Sequence, residues 1–201
     1  MIQYKPMTDM KKLDCPPFEL GEKLTEEQLA FFEKHGVVIF KHFFPQEKVD
    51  LYIEEIKRID KMWIEQGVTK VNGIPLKFGE DGEGNKTIQR MCFLNKQSEH
   101  FAELLRDPRL QALTELVRPY EGRVSEDEKD GLILNNYVQY PNSSFTQMGW
   151  HTDCPRDLFL GQRIMPMLNV GIHLDTVPFD NGGLRVIPGT HKQGMIRMLF
   201  G

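Results

Sequence analysis

His151 and Asp153 stand one residue apart in the stretch MGWHTD (148–153), and a second triplet of the same form, His173-Leu-Asp175, follows downstream. Imidazole and carboxylate together suit divalent first-row metals, and a face of two histidines and one carboxylate leaves further coordination positions open. On a β-strand successive side chains alternate between faces, so positions 151 and 153 would project to the same side. They form half of such a site and need a third donor. The first triplet closes a strand and runs into a Cys-Pro-Arg-Asp loop, where ligands carried by a rigid scaffold are commonly found. In the second, Asp175 leads into the turn TVPFDNGG and is expected to cap it, while His173 reads as a satisfied core or cavity histidine. Cys154 adjoins the pair, but strand alternation turns it to the opposite face.

The elements that must position these side chains change character along the chain. Residues 1–20 read as a draped arm in which Pro16 and Pro17 interrupt any helix. Residues 24–36 predict a helix capped by Thr25, begun by Glu26 and Glu27 and ended by Gly36, with Leu24, Leu29, Phe31 and Phe32 supplying its buried side. A strand is expected over 37–40. A second helix follows over 44–67, its face marked by Val49, Ile53, Ile56 and Ile59 or Asp60. Residues 68–88 are rich in glycine and charge and read as a surface excursion, a hairpin tip or a lid. Helix returns over 98–120, interrupted near Pro108. Beyond 130 the pattern turns to strands, over 131–140, 145–153, 165–175, 184–189 and 194–200. Helices first and strands later predict an α+β fold, a β-sandwich or barrel with helices on one side.

With 201 residues, the chain is long enough for one well-packed domain. Apolar residues make up 40% and charged residues 27%, and the net charge of −4 is spread along the chain, which argues against a nucleic-acid partner. The longest apolar runs, such as 36–40, are far too short to span a bilayer, and the N-terminus lacks an apolar signal region, so the expected location is cytoplasmic with no membrane partner. Three cysteines, Cys15, Cys92 and Cys154, are too few and too scattered for a disulfide framework or a zinc ribbon. The expected partner is a small molecule, and the oligomeric state is not legible.

The span 149–194 resembles the phytanoyl-CoA dioxygenase family of non-haem Fe(II) and 2-oxoglutarate-dependent oxygenases. The resemblance rests on the Trp150-to-Asp153 segment, a strand ending at Asp175, the Asn181-Gly182 turn and the Pro188-to-His191 segment. Residues 24–56 also look like this family's opening helix, strand and helix. The resemblance implies a double-stranded β-helix, jelly roll or cupin-like, with N-terminal helices packed on one side. It implies a single oxygenase domain over 1–201, mainly helical over 1–130, with 131–201 forming the first part of the β-helix core. His151 and Asp153 would be iron ligands, with 2-oxoglutarate and O₂ as co-substrates. The reaction implied is hydroxylation of a small organic molecule coupled to oxidative decarboxylation of 2-oxoglutarate to succinate and CO₂. Related halogenases lack a carboxylate at the second ligand position, so Asp153 marks the hydroxylase type.

The family's distal histidine and the basic residue that follows it have no evident counterpart. His191 is the last histidine, 40 residues beyond His151, a shorter spacing than this fold leads one to expect. It also falls in the PGTH segment, whose histidine is not a metal ligand in the family, so it is at best a substitute third ligand. A double-stranded β-helix closes with about eight core strands, more than are legible here, and the core is therefore expected to be incomplete at the C-terminus. On the strand over 131–140, Leu134, Asn136, Val138 and Tyr140 share a face. If that face is the inner one, Asn136 and Tyr140 could touch 2-oxoglutarate or substrate; the opposite assignment is equally open. Arg156 and Arg163 could meet an anionic substrate or simply be solvated, and Arg185 alternates with Leu184 and Val186, which favours an outward position. No basic phosphate clamp is visible, so CoA is not the expected substrate. The alternatives are a non-catalytic or degenerate β-sandwich binding protein and a cupin-like metal enzyme that does not use 2-oxoglutarate.

Overall fold

A computed structural model describes residues 13–128, 130–136, 151, 166–176 and 184–193. Helix α1 (Glu26–His35) starts as its sequence dictates. Thr25 Oγ1 accepts the Gln28 backbone N–H at 3.2 Å, while Gln28 Oε1 accepts the Thr25 N–H at 2.9 Å, closing a capping box. The Gln28 amide also donates to the Glu19 carbonyl at 2.9 Å and so ties the preceding arm to the helix. Gln28 is the buried residue of α1, with all three of its contacts satisfied, whereas Leu24, Leu29, Phe31 and Phe32 are only half-buried. The arm meets the first turn at Gln28 and the apolar side at Phe31, against which Phe18 packs. Gly36 ends α1 at φ +70, its N–H donating to the Phe32 carbonyl at 2.7 Å.

The strand expected over 37–40 reduces to a single parallel bridge between Phe40 and Phe18. The partner is the arm, where Pro16 and Pro17 lack the N–H groups that a longer ladder would need. Phe18 is buried, its ring edge-on to Phe31 at 5.5 Å.

Helix α2 (Gln46–Glu65) turns Tyr52, Ile59 and Trp63 fully inward, with half-buried Ile56 between them at helical spacing. The buried stripe is thus centred beside the one marked by Val49 and Ile53, which are half-buried; two aromatic side chains take the deep positions. After it come two short strands, β1 (Lys70–Val71) and β2 (Ile74–Pro75), joined by Asn72-Gly73 with φ of +47 and +82, the conformation an Asn-Gly hairpin turn requires.

A second antiparallel sheet has the order β3-β4-β5, with β3 at Lys77–Glu80, β4 at Lys86–Met91 and β5 at Leu134–Asn135. The β3–β4 turn is organised by Asp81, whose Oδ1 accepts the Glu83 N–H at 2.9 Å and the Asn85 N–H at 2.8 Å. The expected surface excursion over 68–88 therefore holds a hairpin tip, but its second strand is central. Ile88 and Met91 on β4 are fully buried. They share the inner face although three residues apart because the register shifts: Lys77 pairs with Arg90 and Phe78 with Ile88, leaving Gln89 as an extra residue. Asp60 joins α2 to this strand, its Oδ1 accepting the Ile88 N–H at 2.8 Å.

The expected break near Pro108 separates α3 (Glu99–Leu105) from α4 (Pro108–Ala112). Asp107 caps α4 through the Arg109 N–H at 2.9 Å, with proline at the first helical position. Tyr52, Ile59, Trp63, Ile88, Met91 and Phe101 form the centre of one core, with the Tyr52 and Phe101 rings stacked at 5.2 Å. Leu132, Leu134, Leu168, Ile172 and Leu174 pack on its edge.

The described residues are thus α+β. Most of the double-stranded β-helix expected over 131–201 falls outside them. Residues 166–173 and 184–187, expected within strands, make no strand pairing. The first segment keeps part of the period, with Leu168, Ile172 and Leu174 half-buried and positions 167, 169, 171, 173 and 175 exposed. Among the described residues no helix is long and apolar enough to cross a membrane.

Candidate metal and co-substrate site

The β4–β5 pairing positions Asn136, one of the expected co-substrate contacts. Beyond Met91 the chain turns through Phe93 to Asn95, and Asn95 is buried with both ends of its amide used. Its Nδ2 donates to the Glu126 carbonyl at 3.1 Å and its Oδ1 accepts the Leu132 N–H at 3.3 Å. The Phe93 N–H donates to the Asp130 carbonyl at 2.9 Å and the Leu94 N–H to the Leu132 carbonyl at 3.1 Å. An ion pair between Arg90 and Asp130 closes the same junction. Together these bonds register β5, and the Asn136 N–H continues the ladder to the Gln89 carbonyl at 2.8 Å. Leu132, Leu134 and Asn136 are half-buried while Ile133 and Asn135 are exposed, so Asn136 shares the inner face. Tyr140 lies outside the described residues.

His151 is exposed. Asp153, Cys154, Arg156 and Arg163 lie outside the described residues, as does the Asn181-Gly182 turn, so the face shared by His151 and Asp153 is not described. His173 is exposed on the same side as Asp175, not a core or cavity histidine as its apolar neighbours suggested; the half-buried positions are Ile172 and Leu174. Asp175 lies at a bend, in keeping with a turn. Arg185 is exposed, but so are Leu184 and Val186, so the expected alternation of inward and outward positions does not hold over 184–186.

His191 sits in a short turn at Thr190–Lys192, docked on the C-terminal end of α1. Its Nε2 lies 3.1 Å from the Glu33 carbonyl, and its Nδ1 faces Gly36 so closely that a Cβ there would fall 2.1 Å away. Lys192 Nζ reaches Glu33 Oε1 at 2.8 Å and holds that carboxyl below its usual range. Both ring nitrogens are therefore turned to the end of a helix.

Among the described residues no three His, Cys, Asp or Glu side chains come together as a metal site. The donor chemistry of His151 and Asp153, one imidazole and one carboxylate, fits Fe(II) as two of three facial ligands. Cys92 adds no thiolate: it is fully buried, and burial pushes its thiol up despite the Arg90 guanidinium nearby.

On the helical side an open cleft of about 220 Å³ lies between α2 and α3, floored by Phe44, Tyr52 and Leu104. Its strongest charges are spent within the protein. Arg109 bonds Asp107 through two nitrogens, at 3.0 and 2.7 Å, and donates to the Phe43 carbonyl at 2.7 Å. Burial, then the negative charge of Asp107, pushes the Tyr52 hydroxyl up to about 12, so it stays protonated. Sequence reasoning missed Asn95, Arg90 and Asp130, the residues that register β5. Their partners are up to 40 residues away in sequence, and no local pattern signals them.

The phytanoyl-CoA dioxygenase (PhyH) family profile matches residues 32–199. A curated relative, named as a probable alpha-ketoglutarate-dependent hypophosphite dioxygenase of Stutzerimonas stutzeri, is 25% identical over 167 residues, 83% of this chain. The chain spans about half the length of that relative, 53% of it. No solved structure matches.

Proposed function

Because the chain belongs to the phytanoyl-CoA dioxygenase family, we propose that it is an Fe(II)/2-oxoglutarate-dependent dioxygenase that hydroxylates a small organic molecule. The observation that carries this reading is the family match over 32–199, which includes the Trp150-His-Thr-Asp153 segment. When bound, iron and 2-oxoglutarate supply the activation of O₂, coupled to decarboxylation of the 2-oxoglutarate to succinate and CO₂.

The roles proposed for this chain's residues are limited. His151 and Asp153 hold the metal as an imidazole and a carboxylate, and the third ligand has no assigned residue. Asn136 and Tyr140 contact 2-oxoglutarate or the substrate; the inward position of Asn136 beside Leu134 supports this for the first of them. Asp153 supports hydroxylation, since its carboxylate fills the position that halogenases leave open.

The test is succinate release by the full-length protein under O₂ with Fe(II), with and without 2-oxoglutarate, across a substrate panel. Hypophosphite belongs in the panel because the curated relative carries it in its name. Succinate that depends on 2-oxoglutarate and disappears in Asp153→Ala supports the proposal. Substrate oxidation that proceeds equally without 2-oxoglutarate would favour a cupin-like metal enzyme instead, and binding without turnover would favour a degenerate binding protein.

A further inference from the structure

The last turn of any α-helix leaves carbonyl groups without partners inside the helix. In α1 the Phe32 carbonyl is used locally by Gly36, and two others are satisfied from more than 150 residues away. The Gly189 N–H donates to the His35 carbonyl at 2.7 Å, and His191 Nε2 meets the Glu33 carbonyl at 3.1 Å. Lys192 adds an ion pair to the Glu33 side chain at 2.8 Å, which also places a cation beside the negative end of the helix dipole. The Phe32 ring lies 6.1 Å from the imidazole.

Two glycines make the fit possible. Gly36 has φ +70, and its missing Cβ leaves the space that the His191 ring occupies. Gly189, at φ +82, turns its N–H toward the helix at the start of the Thr190–Lys192 turn. Thr190 Oγ1 steadies that turn by donating to the Ile187 carbonyl at 2.9 Å.

We infer that residues 188–192 form a latch that fastens the C-terminal part of the chain to the end of α1, with His191 as its bolt and Gly36 as its socket. Nε2 carries the proton in this arrangement, since it faces a carbonyl oxygen that can only accept. His191 is then committed to the helix end and stands outside the set of iron donors. That last clause rests on the proposed oxygenase function; the latch does not.

Amide exchange in the full chain, followed at Gly189, tests the latch directly. His191→Ala should speed exchange there about tenfold, the effect of losing one net hydrogen bond from a cooperative contact. His191→Gln, whose amide can still donate to Glu33, should recover part of the protection. The socket is tested by coupling. Gly36→Ala is strained by its φ in any background, but should shift the folding equilibrium by a larger factor when His191 is present than in His191→Ala. Unchanged exchange at Gly189 in His191→Ala, or fully additive effects of the two substitutions, would overturn the latch. The visible absorption band of anaerobic Fe(II) with 2-oxoglutarate should survive in His191→Ala; its loss there, with the wild type showing it, would make His191 a ligand and overturn the inference. A wild type without the band would count against the oxygenase reading alone, and exchange would still decide the latch.

Discussion

Asn95 and Glu55 show how single polar side chains contribute to this fold by different routes. Asn95 is buried and serves two backbone groups, so Asn95→Ala would strand the Leu132 N–H and the Glu126 carbonyl. The expected loss is about 1–3 kcal/mol, measured as a lower urea midpoint with the slope unchanged. Glu55 is paired with Arg58 through two bonds of 2.9 and 2.7 Å, which hold its carboxyl at about 2. A depressed carboxylate value means that the folded state binds the proton less well than the unfolded chain. The stabilisation is therefore complete above the ordinary value of 4.5 and is lost as pH falls toward about 2. The Arg58 side chain is 51% exposed, so solvent screening limits the pair to about 1 kcal/mol. Urea midpoints of the wild type and Glu55→Gln should differ at pH 6 and converge as the pH is lowered through that window; a constant gap would contradict the assignment. At this scale the caps of α1 were legible, because Thr25 and Gly36 act on near neighbours in sequence, whereas the Asp107 cap of α4 emerged only with the structure. The partners of Asn95 and His191 were not legible, because their contacts are made only when distant segments meet.

At the scale of elements, β4 is the clearest case of a segment whose importance its sequence hides. KTIQRM lacks strict alternation, and only the extra residue at Gln89 brings Ile88 and Met91 onto one buried face. Ile88→Ala should cost about 2–5 kcal/mol, the usual range for truncating a fully buried aliphatic side chain. A loss below 0.5 kcal/mol in urea unfolding would show that β4 is not central to the core. Helices α1 and α2 were placed within a few residues by periodicity and capping. The depth of their faces was not, since Tyr52 and Trp63 were absent from the expected stripe yet are buried with Ile59. A rim residue and a deep one differ by where the neighbouring elements lie, and periodicity alone does not encode that.

For the whole molecule, the N-terminal part was largely legible because its contacts are short in sequence: caps, helical stripes and hairpins. The expected strands after residue 130 depend on pairing between distant segments, and β5 alone is paired among the described residues of that region. The candidate site divides in the same way. Residue types and motif order singled out His151 and Asp153 and led to the family, whereas no residue was legible as a third ligand. The proposed function requires this chain to supply His151 and Asp153 to a 2-oxoglutarate-dependent iron site. Anaerobic titration of the full-length protein with Fe(II) in the presence of 2-oxoglutarate tests it most directly, read as the weak visible metal-to-ligand charge-transfer band. The band should develop to saturation in the wild type and be abolished in His151→Ala and Asp153→Ala variants that remain folded. A wild type that binds Fe(II) and 2-oxoglutarate without the band, or variants that keep it, would contradict the claim.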